Sequence, residues 1–394
     1  MTIRYLSAGE SHGPSLTAIV EGFWSNVPID LDSLNNELAK RQLGYGRGGR
    51  MKIEKDKLQI LSGIRHGITT GSPISLQINN KDFQNWKDQM SPEPCECDEQ
   101  SSYDNKLTRP RPGHADLSGG IKYRHDDLRN TLERSSARET AIRTGVGALC
   151  KQLLAQLNIS IYGYVTGIGN VKMTDEQRQF VISSLTSDNL YSIKEKIESS
   201  SVRCPEPDTT DQMKQEIDKF WKVGDTVGGE FELVAVNVPV GLGSHVHYDR
   251  KLDSNLTAAV MSLQGIKGVE VGSGFEAAGL PGSQVHDEIN YDDQNGYYRK
   301  SNNAGGIEGG MSNGEPLIIR AAMKPIPTLA KPLNSVDIES KKPFTAQVER
   351  SDACAVPAAS VVAENIMAFE LVREIKEKYG GDSLGELWKN YGMV

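Results

Sequence analysis

The chain has 394 residues, with 44 Lys and Arg against 52 Asp and Glu and a net charge of −8. Apolar residues make up 37% and charged residues 24%, a composition that buries a core instead of staying disordered. The acidic balance argues against a nucleic-acid binder. No apolar run reaches the roughly 18 residues of a membrane helix, and five thinly spread cysteines exclude a disulfide scaffold. The opening MTIRYLSAGESHG has no basic stretch before an apolar run, so no signal peptide is expected and the reducing cytoplasm is the expected setting.

In chain order, a strand is expected at Ile3–Ala8, followed by the loop Gly9-Glu10-Ser11-His12-Gly13. A histidine between glycines on a strand-end loop has little to pack against, so it can meet a ligand and titrate near neutrality. A nucleophile elbow at Ser11 fails, because no capped helix follows. Asp32 is expected to cap a helix to Leu43, with Leu34 and Leu38 on one face and Gly44 as its stop. Next comes Arg41-Gln-Leu-Gly-Tyr-Gly-Arg47-Gly-Gly-Arg50, where guanidinium forks and close backbone N–H groups can receive phosphate or carboxylate. An RGG-like RNA contact is the other reading, and the overall acidity weighs against it. Gly44, Gly46 and Gly49 spell a dinucleotide fingerprint, but a helix precedes them where that motif needs a strand.

Residues 91–106 are polar and acidic and read as a mobile surface loop; Cys95 and Cys97 within it lack a second pair for zinc. In Arg109-Pro-Arg111-Pro-Gly-His114-Ala-Asp116 the prolines stiffen the backbone, so Arg111 and His114 are held, and Asp116 can orient the imidazole. This suits proton delivery beside an anion. One long helix is expected from Asp127 to about Leu157, central because its middle is rich in small residues, with Glu133, Arg134 and Arg138 close together by helical spacing. Further helices are expected at Asp208–Trp221, Lys251–Leu263 and Pro357–Tyr379, and strands at Phe231–Val238 and Pro316–Met323.

Gly272-Ser-Gly274 also spells the dinucleotide pattern, but Gly279 and Pro281 would break the helix it requires. His245 and His247 can share a strand face, with no third metal ligand in view. Lys324-Pro-Ile-Pro-Thr328 reads as an extended strap, and Arg350 and Asp352 as neighbours facing one side. There is no repeat and no linker, so a single domain over 1–394 is expected. The elements do not alternate as βαβ units, which predicts an α+β fold of helices on antiparallel sheets. The chemistry implied is anion binding with histidine acid catalysis, the hard electronic step being left to a bound cofactor.

The stretches RYLSAGESHG, KRQLGYGRGGRM, TRPRPGHADLSGG, DDLRNTLERSSARETA, NNAGGIEGGMSNG, KPIPT and ERSDACAVPA closely resemble the chorismate synthase family, in the family's order over about residues 3–380. The resemblance implies a β-α-β sandwich, a helical layer between antiparallel sheets, and a homotetramer. It implies anti-1,4-elimination of phosphate from 5-enolpyruvylshikimate 3-phosphate, giving chorismate, with reduced FMN and no net redox change. His12 then corresponds to the acid at the departing phosphate and His114 to the acid that keeps the reduced flavin protonated. Asp352 corresponds to the residue assisting proton removal. Arg134, Ser135, Ser136, Gln264, Gly265, Gly309, Lys324, Pro325, Ile326, Pro327, Thr328 and Arg350 match FMN contacts. Arg41, Arg47, Arg50, Arg111 and Arg129 would receive the substrate's anionic groups, and Arg41 and Arg47 are where the family's NADPH contact, as reductant of the flavin, is placed. Gly265 stands where the family usually has Ala; the contact there is expected to be backbone. No extra region suggests an intrinsic flavin reductase, so supply of reduced flavin from elsewhere is expected. No nucleic acid or membrane partner is expected. An FMN oxidoreductase and an RNA binder using residues 47–50 are the competing classes.

Overall fold

The computed structural model describes residues 2–48, 55–94, 106–294, 296–346 and 352–393. Arg50, Arg350, Cys95 and Cys97 lie outside the described residues.

The chain opens with two antiparallel strands, β1 (Arg4–Ala8) and β2 (Ser15–Glu21), paired Leu6 to Ile19. Together with β3 (Leu58–Ser62) and β4 (Ile74–Asn79) they form a sheet of order β1-β2-β4-β3. Alternation decides its inner face: Leu16, Ala18 and Val20 of β2 and Ile74, Leu76 and Ile78 of β4 are buried. A second sheet contains β5 (Ser160–Ile168), β6 (Val171–Lys172), β7 (Gly229–Val236), β8 (Ile266–Val271) and β9 (Leu317–Met323), in the order β8-β9-β7-β5-β6. Every ladder in both sheets is antiparallel.

Helix α1 (Leu31–Gln42) buries Leu34 and Leu38, as the spacing predicts. Its cap is Asp30, not Asp32: the Asp30 carboxylate accepts from the N–H groups of Asp32 and Ser33 at 3.2 and 3.1 Å. Asp32 lies inside the first turn, where its charge still favours the helix N-terminus.

The long helix expected from Asp127 to Leu157 is not continuous. Asp116–Tyr123 forms α2, Arg129–Ser135 forms α3, a single 3-10 turn spans Ala137–Glu139, and Thr140–Ala155 forms α4. The break falls at Ser136, whose backbone is extended (ψ 142°) and whose hydroxyl accepts from the Arg138 N–H. A serine that bonds its own neighbouring backbone competes with the helix ladder, which is what ends α3 here. The break takes Arg138 away from Glu133 and Arg134: these two reach the Ser7–His12 stretch, and Arg138 reaches Asp56.

Helices α4 and α5 (Val356–Tyr379) cross in close contact; α4 also touches β2 and β4, and α5 touches β5 and β7. The small residues of α4 explain the approach. A methyl group on Gly147 would lie 2.1 Å from the carbonyl oxygen of Asn365, so only glycine fits. One apolar cluster runs through both sheets and these helices, from Trp24 and Leu16 through Leu149 and Leu371 to Phe231. Each large side chain fully buried there contributes about 1.5–3 kcal/mol. Pro207–Lys222 and Leu252–Met261 are helices close to the expected bounds, and β7 and β9 sit within two residues of the expected strands.

Candidate active site

The loop joining β1 to β2 carries His12. It is shaped by Gly9 at φ +113°, where a Cβ would lie 2.4 Å from the Ser15 carbonyl oxygen. Asn80, just past β4, donates its side-chain amide to the carbonyls of Glu10 (3.2 Å) and Gly13 (2.7 Å). From α3, Glu133 grips the loop through its backbone carbonyl, which accepts the Ser11 N–H at 3.1 Å. The Glu133 carboxylate accepts the His12 backbone N–H at 2.7 Å and its Nδ1–H at 2.8 Å. Burial works to raise this carboxyl, but the hydrogen bonds and charge of His12, with help from Arg129, hold it below the usual carboxylate range. Trp86 stacks on the imidazole, centroids 4.1 Å apart, and the Arg129 guanidinium lies 5.0 Å from the indole centre.

The second histidine is held in the same way. Asp116 opens α2 with its side chain fully buried. Its carboxylate accepts from His114 Nδ1 (2.6 Å), from Arg111 Nε (2.9 Å) and from the Arg111 backbone N–H (3.1 Å). Desolvation opposes its ionisation, yet His114 and Arg111 together hold it well below the usual carboxylate range. The expected orienting role of Asp116 is therefore present in the geometry. Arg111 Nη1 goes on to Thr328 Oγ1 at 2.9 Å, and Lys324 Nζ donates to the Gly113 carbonyl. The strap Lys324–Thr328 is thus tied at both ends to the His114 loop. Burial, and then Lys267, lower the Lys324 ammonium from its ordinary value.

The third part joins the glycine-arginine loop to the segment before α5. Ala353 N–H donates to the Gly46 carbonyl at 2.8 Å, Gly48 N–H donates to Asp352 Oδ1 at 2.6 Å, and Arg47 Nη1 lies 2.9 Å from Asp352 Oδ2. Arg41 departs from the expected role of anion contact. It is buried at 5% exposure, and its guanidinium donates to Thr140 Oγ1, Asp56 Oδ2 and the Ala137 carbonyl. Burial drags it down to about 9. It braces the loop and offers almost no surface to a substrate or to NADPH. Arg111, with its donors on Asp116 and Thr328, braces likewise.

The expected flavin residues fall into one connected group and two outliers. Arg134 donates to the carbonyls of Ser7 (3.0 Å) and Gly9 (3.2 Å); Ser7 Oγ donates to Glu139, and Gln264 Nε2 donates to the other Glu139 oxygen. Ser136 Oγ donates to Ser11 Oγ at 3.1 Å, and Ser135 Oγ to the Leu132 carbonyl. Gly265, at φ +86°, accepts the Lys324 N–H through its carbonyl, and the Ile326 carbonyl accepts from Thr226 Oγ1. Pro325 and Pro327 lie within the strap. Gly309, at the turn between Ile307–Glu308 and Met311–Ser312, shares no hydrogen bond with this group among the described residues, and Arg350 lies outside them.

The two histidines are linked through α2 and α3, which pack by Gly119 against Thr131 and Gly120 against Leu128. Glu133, Asp56, Asn80 and Trp86 are parts that the sequence reading did not assign. Glu133 reads as one member of an ion-pair face with Arg134 and Arg138. Asp56 also accepts from Arg138 Nη1 at 2.8 Å. Trp86 carries no sequence signal.

Two imidazoles are each held at Nδ1 by a buried carboxylate, with guanidinium groups close by. Comparisons with known proteins show the family. The family model described as chorismate synthase matches residues 3–375. A chorismate synthase of Desulforamulus reducens is 57% identical over 386 residues, covering 98% of this chain and 96% of its own. One of Geobacter sulfurreducens is 55% identical over 396 residues, covering 99% and 97%. A structure titled as the crystal structure of chorismate synthase aligns with a TM-score of 0.78 at 41% identity, over 100% of this chain and 97% of that one. The chain belongs to the chorismate synthase family. It is an enzyme, a lyase, and its chemistry is chorismate formation in the shikimate pathway. Among the described residues no helix is long and apolar enough to cross a membrane.

Proposed function

We propose that the enzyme removes phosphate from 5-enolpyruvylshikimate 3-phosphate by anti-1,4-elimination and requires reduced FMN. The observation that carries this reading is the pair of carboxylate-held imidazoles, His12 on Glu133 and His114 on Asp116. His12 Nε2 has no hydrogen-bond partner among the described residues, so it is the atom that delivers a proton to the departing phosphate. Arg47 and Arg129 receive anionic groups of the substrate, with Arg50 assigned by resemblance. Asp352, held in place by Arg47 and the Gly48 N–H, assists removal of the ring proton.

The residues fit a flavin. Gln264 Oε1 is buried without a hydrogen-bond partner among the described residues, one residue before Gly265, whose carbonyl accepts from the strap, and it can accept from a ring N–H. Arg134, Ser135, Ser136, Gln264, Gly265 and the strap Lys324–Thr328 would hold the cofactor, with Arg350 and Gly309 assigned by resemblance. When bound, reduced flavin supplies electron density to the ring carbon left poor as phosphate departs. By resemblance His114, its Nδ1 held by Asp116, is the acid that keeps the reduced flavin protonated. The same reading gives a single-domain β-α-β sandwich acting as a homotetramer in the cytoplasm. The exposed Leu6 and Ile19, opposite each other on the first sheet, support self-association.

The test is an anaerobic assay with dithionite-reduced FMN and the phosphorylated substrate, following phosphate and product absorbance. Many turnovers of phosphate per flavin are expected. Steady NADPH consumption with an acceptor and no phosphate release would overturn the reading in favour of an oxidoreductase.

A further inference from the structure

We propose that Glu133 is the positioning residue of His12, and that the Glu133–His12–Trp86 stack fixes which imidazole nitrogen faces the substrate. This rests on the reading of His12 as the proton donor. Glu133 makes two bonds to the same residue, one to the His12 backbone N–H and one to Nδ1, so it sets both the loop and the ring angle. An ionised carboxylate only accepts, so Nδ1 carries hydrogen and Nε2 is left to exchange protons. Burial of Glu133 at 2% exposure keeps water from competing for the bond. Trp86 covers one ring face and leaves the rim open.

Charged groups flank this stack. Glu133 and Arg129 come from α3, with Arg129 3.5 Å from Glu133 and above the Trp86 ring. Glu10, on the same loop, lays its carboxylate over Gly13. Glu133→Gln keeps the shape and removes the charge. Glu133→Ala removes the whole support.

Trp86 supplies a readout that needs neither flavin nor substrate. A protonated imidazole stacked on an indole quenches its emission. Among the described residues Trp86 is the one tryptophan stacked on a histidine. Tryptophan emission of the cofactor-free protein is titrated from pH 5 to 9 in the wild type, Glu133→Gln, Glu133→Asp, His12→Ala and Trp86→Phe. A quenching step is expected in the wild type and absent from the last two. In Glu133→Gln the step moves down by about one pH unit or more, the usual scale for losing a carboxylate in contact. Glu133→Asp restores part of the shift. An unmoved step in Glu133→Gln, or no step in the wild type, refutes the positioning role. In the loaded enzyme, the acid limb of kcat/KM is expected to move with the emission step. A matching emission shift with an unmoved rate profile would leave the positioning intact and overturn the donor role of His12 instead.

Discussion

Glu370, on the buried side of α5, offers a test of the packing around the central helices. It lines a cavity with Tyr5, Arg143 and Phe369 and is 4% exposed. Burial pushes its carboxyl from 4.5 up to about 7; Arg373, one turn on, opposes this, and Glu374 adds to it. The folded chain therefore keeps a proton that the unfolded chain has lost between those two values. Stability is highest below pH 4.5, falls as pH rises through the window, and levels off above about pH 7. A gap of roughly 2.5 units at about 1.4 kcal/mol each makes the cost at pH 8 about 3.5 kcal/mol. Glu370→Gln removes that cost, less whatever the Arg373 contact returns. With an unfolding entropy of about 2 cal/mol/K per residue, this corresponds to a rise in Tm of about 3–4 °C at pH 8. At pH 4.5 the two proteins should melt together. The assay is thermal unfolding by circular dichroism, with urea titration as a cross-check. An equal gain at both pH values would show that the effect is not ionisation, and a loss confined to pH 8 would show that Arg373 outweighs burial.

The other expectations follow from single contacts. Gly147→Ala puts a methyl 2.1 Å from the Asn365 carbonyl and should lower stability by about 1–3 kcal/mol, read from the urea midpoint; an unchanged midpoint would mean that α4 and α5 part freely. His12→Ala and His114→Ala should each lower turnover by about 100-fold or more while flavin affinity survives; near-normal turnover in both would refute the acid roles.

Much of the fold is legible because local signals agree with the packing. Leu34 and Leu38 mark the face of α1, and the β-branched runs of β7 and β9 become central strands. The stiff loop of prolines 110 and 112 does hold Arg111, His114 and Asp116 together. The failures have physical causes. Asp32 reads as the cap, and only the backbone angles of the folded chain give that place to Asp30. Ser136 reads as one more small residue of a long helix, because its break depends on a hydroxyl bonding to Arg138 N–H and to Ser11 across the fold. Glu133 and His12 are 121 positions apart, so no spacing rule can pair them. Arg41 reads as a ligand contact for want of Asp56, whose importance arises only once two guanidinium groups converge on it.

The interruption at Ser136 has a mechanical meaning. A continuous rod would fix the bearing of Arg138 relative to Glu133 and Arg134. Jointed at that serine, the chain instead sends Glu133 and Arg134 to the histidine loop and the Arg138 guanidinium into the interior. A single covalent segment thereby keeps that loop and the buried Asp56 in fixed mutual alignment, as a bracket with two arms does, and a disturbance of the joint would be felt at both.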